Sequence, residues 1–479
     1  MLNLRSIRGI IFDLDGVLIH SADCHHAAFC KVLERFDIHD FEYAPYAGWR
    51  TAEVVENVLR RHGQAIDPQK IVQAARDKSE LAHEMLDRAK AVVPGAERTL
   101  ATLATGYPLA LASSGSRLSI DAFLKVTGSA SLFRSILSGS DVVRAKPDPE
   151  IYRRSAEHLG VSPAECLVIE DSVAGVEAAR AAGAVAVGIA PDGAVIRKLL
   201  EAGAAQVIAS PCELPGFLFE EGPPQIDPSL WTALIPAAGR GSRLGFHRAK
   251  ILYPVAGRPI LDWLLDLLRP NCGSLVFVLS PNGVADVASE LDRRIPGRYE
   301  IVVQETPTGM GDAVALGLHR VSTPHTAVVW GDQVALRLES VQACMRLHQG
   351  PLQPDATVPT VMRTAPYIHF ERDATGAITR LLQAREGDTM PAEGESDTGF
   401  FCFRTDALRG WLREVRNSPD ATGRGTNELN LLPVIPMGAR QGSVLTPRCM
   451  RVEETVGINS PQDAGTIEEF LRRSHATGH

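Results

Sequence analysis

The chain has 479 residues, too many for one ordinary hydrophobic core, so two or three domains are expected. With 45% hydrophobic and 22% charged residues, 41 Gly and 31 Pro, it has the composition of a globular protein, not of a disordered or fibrous one. Its formal net charge of -8, from 49 Lys+Arg against 57 Asp+Glu, argues against nucleic acid or an anionic membrane as the main partner, while leaving room for a local basic pocket.

Two stretches share one grammar, an apolar run that stops at small or acidic residues: residues 7–12, ending in Asp13-Leu14-Asp15-Gly16, and residues 234–236, ending in AAGRGSRLG. Between them, residues 211–230 carry five prolines and several acids with no sustained period, which reads as a linker. This divides the chain into domains at 1–210 and 231–479. In the first, short strands at 7–12, 108–112, 135–138 and 166–169 alternate with helical stretches. Residues 20–90 instead read as consecutive amphipathic helices, a helical cap inserted after the first strand. The second domain alternates again, with strands at 232–236, 275–279, 300–304 and 326–330 and helices at 259–268 and 311–320. The expected fold class is therefore α/β, with two doubly wound, Rossmann-like domains.

Asp13 and Asp15 stand at the C-terminal end of a strand, where open parallel sheets bind ligands. Paired carboxylates at this spacing suit a nucleophile on phosphorus with an acid/base partner. PLALASSGSR offers Ser113 and Ser114 as phosphoryl-oxygen ligands, and AKPDPEIY places Lys146 ahead of two stiffening prolines as a fixed positive charge. LVIEDSVAGVEAARAAGA ends a further strand in Glu170-Asp171, hard oxygen donors that suit Mg²⁺. FDLDGVL, ASSGS, AKPDPEIY and VIEDSVAGVEAARAAG, in this order, resemble the four motifs of the haloacid-dehalogenase-like phosphohydrolases, in the helical-cap branch that contains β-phosphoglucomutase. The resemblance covers most of residues 7–210. It implies Asp13 as nucleophile, Asp15 as acid/base, Ser113 as phosphate ligand, Lys146 as charge stabiliser, and a Mg²⁺ site among Asp13, Asp15, Glu170 and Asp171. His25 matches a histidine that the mutases carry near the site, and Arg50 in GWRTAEVV falls where relatives contact substrate. His20 stands where an Asp is usual, which points to an unusual specificity, and Asp77, beside Lys78, aligns with the mutases' cap lysine, a departure that favours a phosphatase over a mutase.

In LIPAAGRGSRLGFHRAK, the small residues Ala237, Ala238, Gly239 and Gly241 let backbone N–H groups approach triphosphate oxygens, with Arg240 and Arg243 adding charge and Lys250 following. QETPTGMGDAV supplies Gln304, an amide able to read a base edge, and a turn at Gly309. Asp332 ends a strand in AVVWGDQVAL, and Asn459 lies in a later turn; if they converge, they could hold a divalent ion. Residues 231–465 resemble the nucleotidyltransferases that make activated sugars and alcohols. The resemblance implies a nucleotide cradle from Gly239 to Arg243, phosphate contact at Lys250, base contact at Gln304 and Gly309, and Mg²⁺ at Asp332 and Asn459. Met310 and Trp330 depart from the hydroxyl and aliphatic residues usual there, and Arg385, Asp397 and Glu428 are candidate acceptor contacts.

The two resemblances together imply a bifunctional enzyme that makes a nucleotide-activated sugar, polyol or alcohol, with Mg²⁺ expected at each site. Its partners would be an NTP, with CTP or UTP favoured, and small phosphorylated substrates. A phosphomutase in the first half, or a non-catalytic nucleotide sensor in the second, are the alternatives. The eight cysteines, at 24, 30, 166, 212, 272, 344, 402 and 449, form no zinc-spaced cluster, and the N-terminus has no signal-peptide core or spanning segment. A cytoplasmic setting without membrane or nucleic-acid partners is expected, and the oligomeric state stays open.

Overall fold

A computed structural model describes residues 6–89, 91–191, 193–219, 224–239, 244–373, 376–418, 422–448 and 450–476. The chain forms two compact units, Met1–Pro223 and Pro224–His479. In the first, β1 (Gly9–Phe12) leads into α1 (Ala22–Leu33), α2 (Thr51–Arg61) and α3 (Pro68–Ala89). There follow α4 (Ala96–Leu103), β2 (Leu109–Ala112), α5 (Arg117–Thr127), β3 (Phe133–Leu137), α6 (Glu150–Leu159), β4 (Cys166–Glu170) and α7 (Val173–Ala182). The unit closes with β5 (Val185–Ile189), α8 (Gly193–Ala202), β6 (Gln206–Ile208) and α9 (Leu214–Leu218).

The strands form one six-stranded sheet in the order β3-β2-β1-β4-β5-β6, parallel throughout. Its central strands are unbroken apolar runs because helices cover both faces, the condition under which a parallel sheet is stable. Since β1 lies between β2 and β4, the chain reverses its direction of winding at β1, and the crevice at its C-terminal end faces Asp13. Helices α1 to α3 build a separate small core around Phe29, Leu33, Val55, Leu59 and Ile71. Within the expected linker, α9 packs on the N-terminal unit, where the Tyr107 hydroxyl donates to the Leu218 carbonyl at 3.3 Å. A 3-10 turn at Pro228–Leu230 leads directly into the second sheet.

The second unit runs β7 (Trp231–Pro236), β8 (Pro254–Val255), β9 (Arg258–Pro259), α10 (Ile260–Leu268), β10 (Ser274–Leu279), α11 (Val284–Arg294), β11 (Tyr299–Val303), α12 (Met310–Leu318) and β12 (His325–Val329). Next come α13 (Leu338–Gln349), β13 (Ala356–Thr357), β14 (Thr360–Thr364), β15 (Ile368–Arg372), β16 (Ile378–Gln383) and β17 (Glu393–Asp397). The last elements are β18 (Phe400–Arg404), α14 (Thr405–Asn417), α15 (Val434–Gln441), β19 (Val444–Leu445) and α16 (Pro461–Ala476).

The seven-stranded sheet has the order β11-β10-β7-β12-β18-β13-β19. Its first four strands are parallel, the expected winding, with β7 again between its two successors. β18 adds an antiparallel strand between β12 and β13, making the sheet mixed. The chain between β13 and β18 forms two separate antiparallel ribbons, β14–β17 and β15–β16, before β18 returns to the sheet. Alternate residues of β7 feed two cores, Ala233 and Ile235 on one face and Leu234 on the other. Among the described residues, no helix is long and apolar enough to cross a membrane.

Candidate active sites

Asp13 leaves β1 with its N–H still bonded to the Ile169 carbonyl of β4 at 3.0 Å, so Asp13 and Glu170 emerge side by side. Lys146 lies between them: its Nζ is 2.5 Å from Asp13 Oδ1 and 2.7 Å from Glu170 Oε1, and donates to the Ala112 carbonyl at 3.2 Å. Glu170 is fully occupied, since Tyr152 donates to Oε1 at 2.7 Å and the Ser172 N–H and hydroxyl donate to Oε2 at 3.0 and 2.9 Å. Sequence reasoning quoted Tyr152 and Ser172 in their motifs but gave them no role.

Asp13, Glu170 and Asp171 each bring one oxygen within 4.8 Å of the others. Burial, with the charges of Glu170 and Asp15, pushes the Asp13 carboxyl up to about 8 although Lys146 opposes it. Burial and the same neighbouring carboxylates push Asp171 well above the usual range. Lys146 itself is held well above its ordinary value by Asp13 and Glu170 despite burial. One lysine thus faces three crowded carboxylates, an imbalance that a hard divalent cation would relieve. The donor set fits Mg²⁺.

Asp15 has a different partner. His25 Nε2 is 2.7 Å from its Oδ1, and Lys78 Nζ donates to His25 Nδ1 at 2.8 Å, which assigns the imidazole proton to Nε2. Burial raises Asp15, but His25, Ser21 and Lys78 outweigh it and hold the carboxylate below its usual range. Lys78 is 4% exposed, and burial pushes it down to about 8. The alignment at Asp77 is therefore corrected: Asp77 faces away, paired with Arg35 and accepting from Gln73 at 2.7 Å, and Lys78 enters the cleft. The signal was present in α3, where Ile71, Ala74, Ala82 and Leu86 make the buried stripe and Lys78 is the one charge on it.

Ser113 is buried, accepts from the Gly115 N–H at 2.9 Å and approaches Asp15 Oδ2 at 3.4 Å. Ser113, Ser114, Asp13, Asp15, Asp171, His25 and Lys78 line one cleft, with about 650 Å³ of empty space that is partly open to solvent. Two candidates lie apart from it. His20 is exposed, and Arg50 turns its guanidinium to the carbonyls of Val142 and of Val143, the latter at 3.0 Å.

In the second unit, Ala237 continues β7 with its N–H on the Val278 carbonyl at 2.8 Å. The ends of β7 and β12 pass so closely that a Cβ on Gly331 would meet Ala237 Cβ and the Pro236 carbonyl at 2.8 Å, so only small residues fit at this crossing. Asp332 follows at once, its carbonyl accepting from Ile458 N–H at 3.0 Å, which brings the late turn beside the strand end. Lys250 Nζ is 2.7 Å from Asp332 Oδ2 and 3.0 Å from Asn459 Oδ1. The two oxygens thus converge on a single cation position, now taken by the ammonium. Asp463 fixes the turn by accepting from the N–H groups of Asn459 and Ser460 at 2.9 and 2.8 Å.

Gly239, which follows Ala238, lies beside Lys250, whereas Arg240, Gly241 and Arg243 fall outside the described residues. Gln304 is buried, and its amide donates within its own turn, to Thr308 Oγ1, the Gly309 carbonyl and Asp312 at 3.2 to 3.4 Å. Gly309 packs against Leu429. Asp397, raised by burial, accepts from Gly399 N–H at 3.1 Å. Arg385 and Glu428 pair with each other at 3.4 Å. Glu386 anchors the loop that carries Glu428, accepting from Gly425 N–H at 2.7 Å, Thr426 Oγ1 at 2.8 Å and Asn430 at 3.2 Å; sequence reasoning missed it because every partner is at least 39 positions away.

Residues 7–183 match the model of the haloacid dehalogenase-like hydrolases, and residues 233–396 match that of the MobA-like NTP transferase domain. The chain is 30% identical over 253 residues to the bifunctional protein GlmU of Desulfitobacterium hafniense, covering 51% of this chain and 52% of that one. It is 32% identical over 251 residues to the same protein of Cupriavidus metallidurans, at 51% and 52% coverage. The chain thus spans about half the length of the curated relatives it matches. Among solved structures, a hydrolase from Pseudomonas syringae aligns at 28% identity over 45% of this chain and 99% of that one, with a TM-score of 0.40. A β-phosphoglucomutase from Clostridium difficile aligns at 26% over 45% and 96%, also at 0.40. The chain joins a haloacid dehalogenase-like hydrolase domain to a MobA-like NTP transferase domain, both of them enzymatic families.

Proposed function

We propose that the N-terminal unit is a Mg²⁺-dependent phosphomonoesterase working through an aspartyl-phosphate at Asp13. The C-terminal unit, in the same reading, transfers a nucleotidyl group from an NTP, CTP or UTP by preference, to the phosphate of a sugar, polyol or similar alcohol. Pyrophosphate is the second product, and the overall product is a nucleotide-activated glycoconjugate precursor. The observation that carries the reading is the pair of lysine bridges, Lys146 between Asp13 and Glu170 and Lys250 between Asp332 and Asn459, each at a strand end where the winding reverses. A cytoplasmic setting belongs to the same proposal.

Asp13 and Asp171, beside Glu170, would hold Mg²⁺ in the first site, and Asp332 with Asn459 in the second. The ion would supply charge neutralisation on phosphoryl oxygens. Asp13 Oδ attacks phosphorus as the ester oxygen leaves, protonated through Asp15, which is a carboxylate at rest and takes up that proton with the incoming phosphate monoester; water then attacks the aspartyl-phosphate, Asp15 takes its proton, and the Asp13 carboxylate leaves as phosphate is released. His25 and Lys78 hold Asp15 in place for both transfers. Ser113 binds a phosphoryl oxygen, and Lys146 offsets the charge that builds up. In the second site there is no hydrolytic nucleophile: the acceptor phosphate attacks the α-phosphorus in line, and Lys250 neutralises the pyrophosphate that leaves.

Lys78 on His25 favours one further reading, a phosphomutase that supplies the 1-phosphate to the second unit. The two readings separate on product. Phosphate released stoichiometrically from a sugar or polyol phosphate supports the phosphatase, whereas isomerisation that needs a bisphosphate primer and releases little phosphate supports the mutase. The transferase is tested by pyrophosphate release from Asp13→Asn with Mg²⁺, four NTPs and a panel of sugar 1-phosphates, polyol phosphates and phosphocholine. No release by folded protein that still binds NTP contradicts it and favours a nucleotide sensor.

A further inference from the structure

We propose that a cavity in the C-terminal unit, walled by β16, α15 and the loop at 422–424, is a regulatory site for a nucleoside diphosphate group, borne by a free nucleoside diphosphate or by a nucleotide-activated product. The regulatory role rests on the nucleotidyltransferase reading; the binding site itself does not.

The cavity has a volume of about 440 Å³, within the range of small-molecule sites. The described residues that line it include none of Lys250, Asp332, Asp397, Glu428 and Asn459, so it is separate from the candidate transfer site. Leu381, Val415, Pro436 and Met437 give it an apolar wall, while Arg380, Arg424 and Arg440 reach it from β16, the loop and α15. The two carboxylates in the lining are already engaged. Glu386 accepts from Gly425, Thr426 and Asn430, and Asp388 accepts from the Gln383 N–H at 2.9 Å and from Arg424 at 2.6 Å. Arg380 lies 3.6 Å from Glu371 with its side chain 62% exposed, and Arg440, in the last turn of α15, has no ion pair or hydrogen bond among the described residues. Three guanidinium groups against two engaged carboxylates leave positive charge at the cavity, and the guanidinium fork suits phosphate oxygens. Phosphate alone has nothing for the apolar wall. A nucleoside diphosphate brings two phosphates for the arginines and a flat base for Pro436 and Met437.

Both sides of the cavity lead to the transfer site. Arg424 belongs to a closed loop that carries Glu428, a candidate acceptor contact: the Gly423 N–H donates to the Glu428 carbonyl at 2.9 Å and the Asn427 N–H to the Gly423 carbonyl at 2.8 Å. A Cβ on Gly423 would fall 2.3 Å from Glu386 Oε1, so the loop rests directly on that side chain. A phosphate that draws Arg424 from Asp388 therefore pulls on the loop that presents Glu428. On the other side, Val415 immediately precedes Arg416, which pairs with Asp312, and Asp312 accepts from Thr308 and Gln304 in the candidate base-binding turn.

The test follows hydrogen exchange by peptide in the full chain, titrated with UDP, CDP, UDP-glucose, CDP-choline and pyrophosphate, for wild type and the double variant Arg380→Ala/Arg440→Ala. At least one nucleoside diphosphate probe should protect 378–388 and 433–441 in wild type, and the double variant should weaken that protection about tenfold or more in probe concentration. A stronger effect of the activated compounds assigns the site to product, and a stronger effect of UDP or CDP assigns it to the free diphosphate. The same probe should lower pyrophosphate release at saturating NTP, and the double variant should lose that inhibition. Protection confined to the peptides around Lys250 and Asp332, or equal protection in both proteins, overturns the site. Pyrophosphate that protects as well as the nucleoside probes overturns the nucleoside assignment. Protection at the cavity with pyrophosphate release unchanged overturns the regulation. Folded wild type that releases no pyrophosphate with any NTP and acceptor overturns the transferase reading and the regulation with it, while the exchange pattern decides the site on its own.

Discussion

Lys146 joins Asp13 to Glu170 in the N-terminal unit with its side chain 1% exposed, whereas Lys250 joins Asp332 to Asn459 in the C-terminal unit with its side chain 15% exposed. Both ammonium groups meet side chains at the C-terminal ends of parallel strands where the winding reverses, and both bond two side-chain oxygens, Lys146 adding the Ala112 carbonyl. The sealed bridge needs Tyr152 and Ser172 to occupy the remaining lone pairs of Glu170, because a buried acceptor left unpaired is costly. The open bridge leaves both its lysine and its Asp332 carboxylate partly exposed. The same local design therefore has two costs of removal, set by burial and not by the number of bonds.

The sharpest way to break the comparison is to remove each lysine. Lys146→Met leaves two buried carboxylates without a counter-charge and should destabilise the N-terminal unit by about 3–5 kcal/mol. Lys250→Met should cost the C-terminal unit about 1 kcal/mol or less. Hydrogen exchange followed by peptide assigns each loss to its unit, and equal losses would refute burial as the deciding factor.

Glu395 supplies the sealed counterpart inside the C-terminal unit. It is 4% exposed and accepts from Arg372 at 2.5 and 2.7 Å, from Thr360 at 2.5 Å and from Arg448 at 3.3 Å. Burial raises its carboxyl, but Arg372 and Arg448 hold it at about 2 against an ordinary 4.5. A depressed carboxylate contributes stability that is complete above 4.5 and is lost as pH falls towards 2, about 3 kcal/mol in all. Glu395→Gln should flatten the acid unfolding of this unit across that window; an unchanged slope would contradict the assignment.

Lys78 sharpens the comparison by reversing its sign. Burial lowers it to about 8 from 10.5 against the pull of Asp15, in contrast to Lys146, which two carboxylates touch directly. The unfolded chain then binds the proton more tightly, so stability should rise as pH goes from 8 to 10.5. Lys78→Met should remove that rise and stabilise the N-terminal unit at pH 7 by about 1–3 kcal/mol while impairing turnover. Destabilisation would mean that the Lys78–His25 bond outweighs burial. The smallest expected effect on stability is that of chelation: EDTA should abolish both product signals, Mg²⁺ should restore them, and hydrogen exchange away from the two strand ends should hardly change.

The strand ends were legible because an apolar run that stops at a carboxylate is a local signal, and Asp13, Glu170 and Asp332 all have it. The winding around β1 and β7 followed from the alternation of strands and helices. What stayed hidden is non-local. β18 is an ordinary apolar strand in sequence, and only its pairing with β12, more than 70 residues earlier, makes it antiparallel. Arg50 reads as an exposed helix-start arginine until the loop after β3 arrives beneath it. Lys78 was missed by one position, since alignment along the chain does not register which side of α3 is buried.

Two separate chemistries on one chain are tested most directly by measuring phosphate and pyrophosphate release together for wild type, Asp13→Asn and Asp332→Asn, each with Mg²⁺, NTP and phosphorylated acceptors. Asp13→Asn should lose phosphate release and keep pyrophosphate release, and Asp332→Asn should do the reverse. Loss of both products in either folded variant would contradict two independent sites.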